Sequence, residues 1–267
     1  MKNTRLGGIF LAALVLASGA CAGVSVALTG IGSPGTVDAA PVDNVFASTE
    51  RTTNLAGEPV NQALGWRNDP SVSPAMRDVS QSFTTGSSAV VFDKITFKVG
   101  GGAIPDALKD NAEATFKLVI YKMPSASALP GDSQKQPVSE QTGSFAGFAA
   151  DKATGSGNII GTQSNYITFD FDNVSLSANT CYSVVLSFTA SGSGFNIALA
   201  HNGNDNTFAD GAGSISTDGT TWSASSDFYF YAQGTSSIPE PASIALLVGG
   251  IAGVAVFVRK RRRTTDA

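Results

Sequence analysis

The sequence predicts an all-β fold, an antiparallel, jelly-roll-like β-sandwich, flanked by an N-terminal signal helix and a C-terminal transmembrane helix. Short apolar runs alternate with period 2, and Gly, Pro, Asn and Asp separate them. Between the two ends, no long window shows the 3.6-residue period of an amphipathic helix. The 267 residues include 29 glycines and only 14% charged residues, a composition typical of β-rich secreted domains.

Six segments of the body show this alternation clearly, and none of them is part of a βαβ unit. An antiparallel arrangement therefore follows. The side chains predicted to face the core are Val91, Ile95, Phe97 and Val99 in segment 90–99; Phe116, Leu118 and Ile120 in 115–122; Ile167, Phe169 and Phe171 in 166–171; Tyr182, Val184, Leu186 and Phe188 in 181–188; Phe195, Ile197 and Leu199 in 195–199; and Phe228 and Phe230.

The N-terminal residues 1–27 are predicted to be a signal peptide, with a cut between residues 20 and 40. Lys2 and Arg5 precede an apolar stretch at 6–17 and then small residues, the order found in secretory signals. Cleavage could follow Ala20, Ala22 or Ala27. Two alternatives stay open: lipidation at Cys21, and a retained N-terminal membrane helix.

The C-terminal residues 235–267 have three parts. Pro239, Glu240 and Pro241 come first, an apolar run at 242–258 follows, and a basic cluster ends the series at Arg259, Lys260, Arg261, Arg262 and Arg263. A run of this length is at the lower limit for a spanning helix, and the basic cluster places its end in the cytoplasm. The two prolines keep the preceding joint extended, as a processing site requires.

These three parts, in this order and spacing, resemble the PEP-CTERM sorting signal. The resemblance implies recognition by exosortase, a membrane protease-transpeptidase of bacteria that make extracellular polysaccharide, and removal or exchange of the tail during export. A simple C-terminal membrane anchor is the alternative.

The body, residues 42–234, resembles the choice-of-anchor domains, with type R as the nearest subtype. Three short segments carry the resemblance: 80–86, the turn at Pro130-Gly131, and 179–186. The resemblance implies a β-rich surface module. No catalytic residues are carried over from it.

Charge and composition exclude several kinds of site. Between Leu28 and Ile238 there are 19 acidic and 10 basic residues, and this net charge of −9 argues against nucleic acid as a partner. The single histidine, His201, and the lone mature cysteine, Cys181, are too few for a zinc site. No cofactor is expected, although oxygen-rich Asn204, Asp205 and Asp210 form a candidate calcium loop.

No catalytic residue is predicted, because the chain lacks a G-x-S-x-G elbow and offers its one histidine before a polar loop. The sequence therefore predicts a non-enzymatic, exported protein of the cell surface or of a polysaccharide-rich biofilm matrix, held transiently in the membrane, with a structural or adhesive role. The alternative is a carbohydrate-binding module, whose candidate aromatic contacts are Trp222, Tyr229 and Tyr231.

Overall fold

A computed structural model describes residues 23–29, 43–49, 62–100, 104–148, 165–202 and 208–236 of the chain. These residues form β-strands and one short 3-10 turn, Asp106–Leu108, and the predicted all-β class is confirmed. The strands are β1 (Ser25–Thr29), β2 (Val45–Ser48), β3 (Gln62–Asn68), β4 (Met76–Thr84), β5 (Val90–Val99), β6 (Asn111–Lys122), β7 (Gln136–Phe145), β8 (Asn165–Leu176), β9 (Cys181–Phe188), β10 (Asn196–His201), β11 (Gly213–Ser216), β12 (Trp222–Ser225) and β13 (Phe230–Ser236).

The strands pair antiparallel and build one sheet that nearly closes into a barrel. Its front half has the order β12–β11–β4–β9–β6–β7. Its back half has the order β1–β8–β5, after which β5 pairs with both β13 and β10; β2 lies beyond β13, and β3 lies beyond β10.

Two seams join the halves. On one side β4 belongs to both, because its start pairs with β3 and its remaining length pairs with β9. On the other side β1 pairs with β8, while Val24, directly before β1, bridges to Gly143 of β7. The two sheets expected of a sandwich are therefore continuous along both sides.

Aromatic rings dominate the core between the halves. Trp66 of β3 is fully buried and stacks on Phe188 of β9, with 4.1 Å between ring centroids. Phe116 and Phe169 approach the same indole edge-on, each at 5.7 Å. Such pairs contribute about 0.5–1.5 kcal/mol each beyond the area they bury. This cluster therefore ties β3, β6, β8 and β9 together.

The predicted alternation is confirmed in β6, β8, β9 and β10 and at 228–230. The residues predicted to face inward are buried in all of these segments: Phe116, Leu118, Ile120, Ile167, Phe169, Phe171, Tyr182, Val184, Leu186, Phe188, Phe195, Ile197, Leu199, Phe228 and Phe230.

Strand β5 departs from the predicted pattern at its start. Val91, predicted to face the core, is only half-buried, whereas Val90 and Phe92 on either side of it are buried. The pairing of β5 with β13 shifts register here, because Lys94 and Phe92 lie opposite the consecutive residues Gln233 and Gly234. Asp93 is thus the extra residue of a β-bulge, and the side-chain alternation reverses across it. The prediction for Val91 was wrong for this reason, while those for Ile95, Phe97 and Val99 were right.

The sheet extends beyond the predicted body at both ends. Strand β1 lies before residue 42 and overlaps the predicted signal peptide, and β13 continues to Ser236. The described residues contain no helix that is long and apolar enough to cross a membrane. The predicted signal helix and the apolar run at 242–258 both fall outside those residues.

Candidate functional site

Two of the three predicted aromatic contacts lie inside the protein. Tyr229 is 1% exposed and Tyr231 is 8% exposed. The Tyr231 ring packs edge-on against Tyr166 with 6.0 Å between centroids, and the Lys98 ammonium lies over Tyr229 at 5.7 Å. Neither tyrosine offers the open ring face that a sugar would need, so the structure does not support these two residues as sugar contacts.

Trp222 is the third predicted contact, and it is half-buried at the start of β12. Its pairing partner on β11 is Ser216, and the partner of Ser216 on β4 is Asp78. On the next strands, Ser187 of β9 pairs with Lys117 of β6. Paired residues point to the same side of a sheet. We name these five residues the Asp78 row.

Asp78 lies at the centre of the row and is 4% exposed. Burial raises the pKa of its carboxyl group from 3.8 to about 6, although the Ser187 hydroxyl bonded to it and the nearby Lys117 charge act in the opposite direction. Its Oδ1 has no hydrogen-bond partner among the described residues. A buried oxygen without a partner costs free energy, so the position is not optimised for stability alone.

The turn between β11 and β12 is held by Asp218. Its Oδ1 accepts hydrogen bonds from the amides of Thr220 and Thr221, at 2.8 and 2.6 Å, and from the Ser216 hydroxyl at 3.0 Å. These backbone donors hold the pKa of Asp218 well below its usual range. Gly219 adopts a φ of +74°, a conformation that favours glycine. The turn thereby sets the position of Trp222 relative to Asp78.

The far end of the row carries an ion pair. Lys117 Nζ lies 3.3 Å from Glu140 Oε1, and the two side chains are 38% and 55% exposed. The row thus combines an ammonium group, two hydroxyls, a carboxyl group and an indole ring on five neighbouring strands. Such a set can donate and accept hydrogen bonds and also stack against an apolar ring face.

A loop between β6 and β7 covers the part of the front half beside the row. We name residues 123–135 the strap. Ser82 donates a hydrogen bond to the Ala126 carbonyl at 3.1 Å, and Ser80 and Ser183 beneath it are 2.5 Å apart at their hydroxyl oxygens. A β-carbon added at Gly131 would lie 3.5 Å from Cδ1 of Trp222, so the strap passes directly against the indole.

The strap is fastened at its other end by Lys135. The Lys135 ammonium donates to the Pro130 carbonyl and lies 4.9 Å from the centre of the Tyr121 ring. A hollow of about 550 Å³ opens here, lined by Lys122, Met123, Pro124, Ser133, Gln134, Lys135 and Gln136. The strap therefore lies beside the Asp78 row, along the border of that row.

The structure does not bring together the residues of the calcium loop or of the sorting motif. Asn204 and Asp205 of the candidate calcium loop lie outside the described residues, and Asp210 is exposed. No group of three His, Cys, Asp or Glu residues able to hold a metal ion occurs in the part of the chain that is described. The sorting motif at 239–241 and its basic cluster at 259–263 also lie outside that part.

Asp227 and Cys181 have structural partners, and His201 is partly buried. The buried carboxylate of Asp227 accepts from the Gly213 and Phe208 amides at 3.0 and 3.2 Å and from Gln81 at 3.3 Å. Cys181, a free thiol, is half-buried, and its sulfur lies 3.0 Å from Thr84 Oγ1. Burial lowers the pKa of His201.

The sequence singled out Trp222 but missed Asp78, Ser187 and Ser216. A partial signal was present, since polar and apolar side chains alternate in residues 78–84 and 181–188 except at Gln81 and Val185. It could not be used without knowing that β4, β9 and β11 are neighbours, because the row is formed entirely across strands.

Comparisons with known proteins add little. No family model and no curated protein matches the chain. Among solved structures it is similar to the cysteine protease and lectin-like domains of Cwp84, a surface layer associated protein of Clostridium difficile, at 12% identity and a TM-score of 0.32, over 67% of this chain and 37% of that one. A second structure of clostridial Cwp84, after propeptide cleavage, matches at 13% identity and a TM-score of 0.31, over 67% and 42% of the two chains.

Proposed function

We propose that the protein is an exported, non-enzymatic surface or extracellular-matrix protein and a substrate of exosortase, with a structural or adhesive role. In the precursor a jelly-roll-like β-body would be flanked by a signal helix and a transmembrane helix. The observation that carries the proposal is the ordered series at 239–263: Pro-Glu-Pro, an apolar run, then five basic residues.

The described fold supports this arrangement. Strand β13 pairs with β5 and β2, and its last residue, Ser236, precedes Pro239 by only three positions. The described strands thus all lie before the sorting series in the chain. Removal of everything beyond Ser236 would keep every described strand, as a cleaved sorting signal requires.

The test is processing of the full chain in a bacterium that has exosortase. We expect Glu240→Ala, or deletion of residues 259–263, to leave the precursor uncut, and the matched variant Asp266→Ala, outside the motif, to be cut normally. Immunoblotting of membrane and medium fractions separates the two forms. Normal processing of the Glu240→Ala variant and of the deletion variant would contradict the sorting proposal.

A second candidate function is binding of extracellular polysaccharide at the Asp78 row. The observation in its favour is that Trp222, the aromatic residue of the row, is partly exposed and in line with hydroxyl and carboxyl groups. On a glycan array, the body should bind at least one polysaccharide, and Trp222→Ala should weaken that binding roughly tenfold or more, about 1.4 kcal/mol. Ser223→Ala, on the exposed opposite side of β12, is the control. Absence of any glycan binding would remove this candidate.

A further inference from the structure

The N-terminal strand is part of the folded body. Residues Ser25–Thr29 pair with Asp170–Tyr166 of β8 along their full length. Val24 is 4% exposed and belongs to the core, and Val26 and Leu28 pack against that core. The described fold thus includes the chain from residue 23 onward, close to the predicted end of the signal peptide.

Gly23 and Val24 close the seam between β8 and β7. The Val24 amide donates to the Thr142 carbonyl at 2.9 Å, and Val24 bridges to Gly143. A β-carbon at Gly143 would lie 2.4 Å from the Val24 oxygen, and one at Gly23 would lie 2.9 Å from the Thr142 oxygen. Because both approaches require glycine, the two backbones are in close contact here.

This geometry discriminates between the three candidate signal cleavage positions. A cut after Ala27 would remove Gly23–Ala27, including the core residue Val24 and three of the five residues of β1. It would leave unpaired edges on β7 and β8, which promote aggregation. A cut after Ala20 or Ala22 retains the strand.

Among the cuts that retain β1, the sequence favours the later one. Ala20 and Ala22 stand at the two small-residue positions that signal peptidase requires, three and one residues before the bond. Gly23 is exposed, so a new ammonium group there would stay in water, whereas Val24 next to it is buried. A chain starting at Gly23 therefore keeps the complete fold and buries no terminal charge.

We infer that signal peptidase cleaves between Ala22 and Gly23, so that the mature chain starts at Gly23. This inference rests on the proposed export. It implies that Cys21 leaves with the signal peptide, that lipidation at this cysteine does not occur, and that Cys181 is the only thiol of the mature protein.

The test is expression of the full chain in a Gram-negative host, followed by N-terminal sequencing and thiol titration of the exported product. We expect sequence from Gly23 onward and one thiol per chain. Ala22→Phe should reduce the amount of this product roughly tenfold or more, because signal peptidase rejects large residues before the bond. Ala27→Phe is the matched control: Ala27 is exposed on β1, and its product should be unchanged.

An exported chain that starts at Cys21, with two thiols or a lipid, would overturn the inference, and so would one that starts at Leu28. The same holds if Ala27→Phe blocks cleavage and Ala22→Phe does not. A chain that keeps Met1 and stays in the cytoplasm would instead overturn the proposed export. Cleavage precedes folding outside the cytoplasm, so the cut position is readable even in a variant that folds poorly.

Discussion

The outer faces of the two halves of the sheet are both partly buried, but they carry different side chains. On the back half the outward positions hold large residues that are nevertheless buried, such as Tyr166, Tyr229 and Tyr231. On the front half they hold small hydroxyls, such as Ser80 and Ser183, beneath the strap. Trp222 and Tyr121 place aromatic rings partly at the surface there. An outward position on a strand is therefore not the same as an exposed one.

The largest effect is expected on the back face, from Tyr231→Ala. Its ring is almost fully buried against Tyr166, so truncation should lower the free energy of unfolding by about 3 kcal/mol. Tyr231→Phe keeps the ring and should cost less than about 1.5 kcal/mol. Urea denaturation measures both values. A small effect of Tyr231→Ala would show that this face is not a packed layer.

The next effect is a pH dependence centred on Asp78 of the front face. Its pKa is raised from 3.8 to about 6 in the fold, so its contribution to stability is fully present below pH 4 and is lost as the pH rises through 6. Asp78→Asn removes this loss. Relative to the variant, the natural protein should lose about 3 kcal/mol of unfolding free energy between pH 4 and pH 8.

Thermal melts across this pH range measure the difference between the two proteins. Asp218→Asn is the control with the opposite sign, because the pKa of Asp218 is lowered and its contribution is lost as the pH falls. A constant difference between Asp78→Asn and the natural protein at all pH values would show that Asp78 does not titrate as described.

A smaller effect on stability is expected from Trp222→Ala. The indole is half-buried against the strap at Gly131, so its loss should cost about 1 kcal/mol, well below the cost of Tyr231→Ala. Urea denaturation of both variants under the same conditions tests the contrast between the faces. Equal losses would mean that Trp222 is a packing residue, and would weaken the proposed glycan contact.

The smallest effect is expected from two surface ion pairs among the described residues, Lys117–Glu140 and Lys94–Asp170. Lys117–Glu140 on the front and Lys94–Asp170 on the back have distances of 3.3 and 3.2 Å and side chains that are 38–55% exposed. Double-mutant cycles should give coupling energies below about 1 kcal/mol for both pairs, reduced further by added salt. A much larger coupling energy for the front pair alone would indicate that solvent screens charges only weakly at the Asp78 row.

Local pattern predicted much of the fold. Phe116, Leu118 and Ile120 alternate without interruption and are all buried, because in a regular strand period 2 alone decides which side faces the core. The same rule failed at Val91, because the bulge at Asp93 inserts a residue that the local pattern does not predict. The rule put Tyr229 and Tyr231 on the outward side but did not predict their burial, since burial of an outward residue depends on which chain segment lies over it.

The candidate site was predicted only in part for the same reason. Trp222 stands out in the sequence because tryptophan is rare there, but Asp78 is one of 21 acidic residues. Its burial and raised pKa arise from β9 and β11, which are distant in the chain. Likewise, the sequence pattern placed Ser25–Thr29 near the end of the predicted signal peptide. Only the structure shows that these residues pair with the edge of β8.

The sequence by itself determined the all-β class and the core residues of the regular strands, because each depends on residues that are close together in the chain. The two terminal signals remain predictions from the sequence. Only the tertiary structure decided that Ser25–Thr29 belong to the sheet, which outward side chains are buried and which five residues form the Asp78 row. These features depend on strand pairing between distant segments, and hydrogen bonds between backbones carry no residue-specific signal that the sequence could reveal.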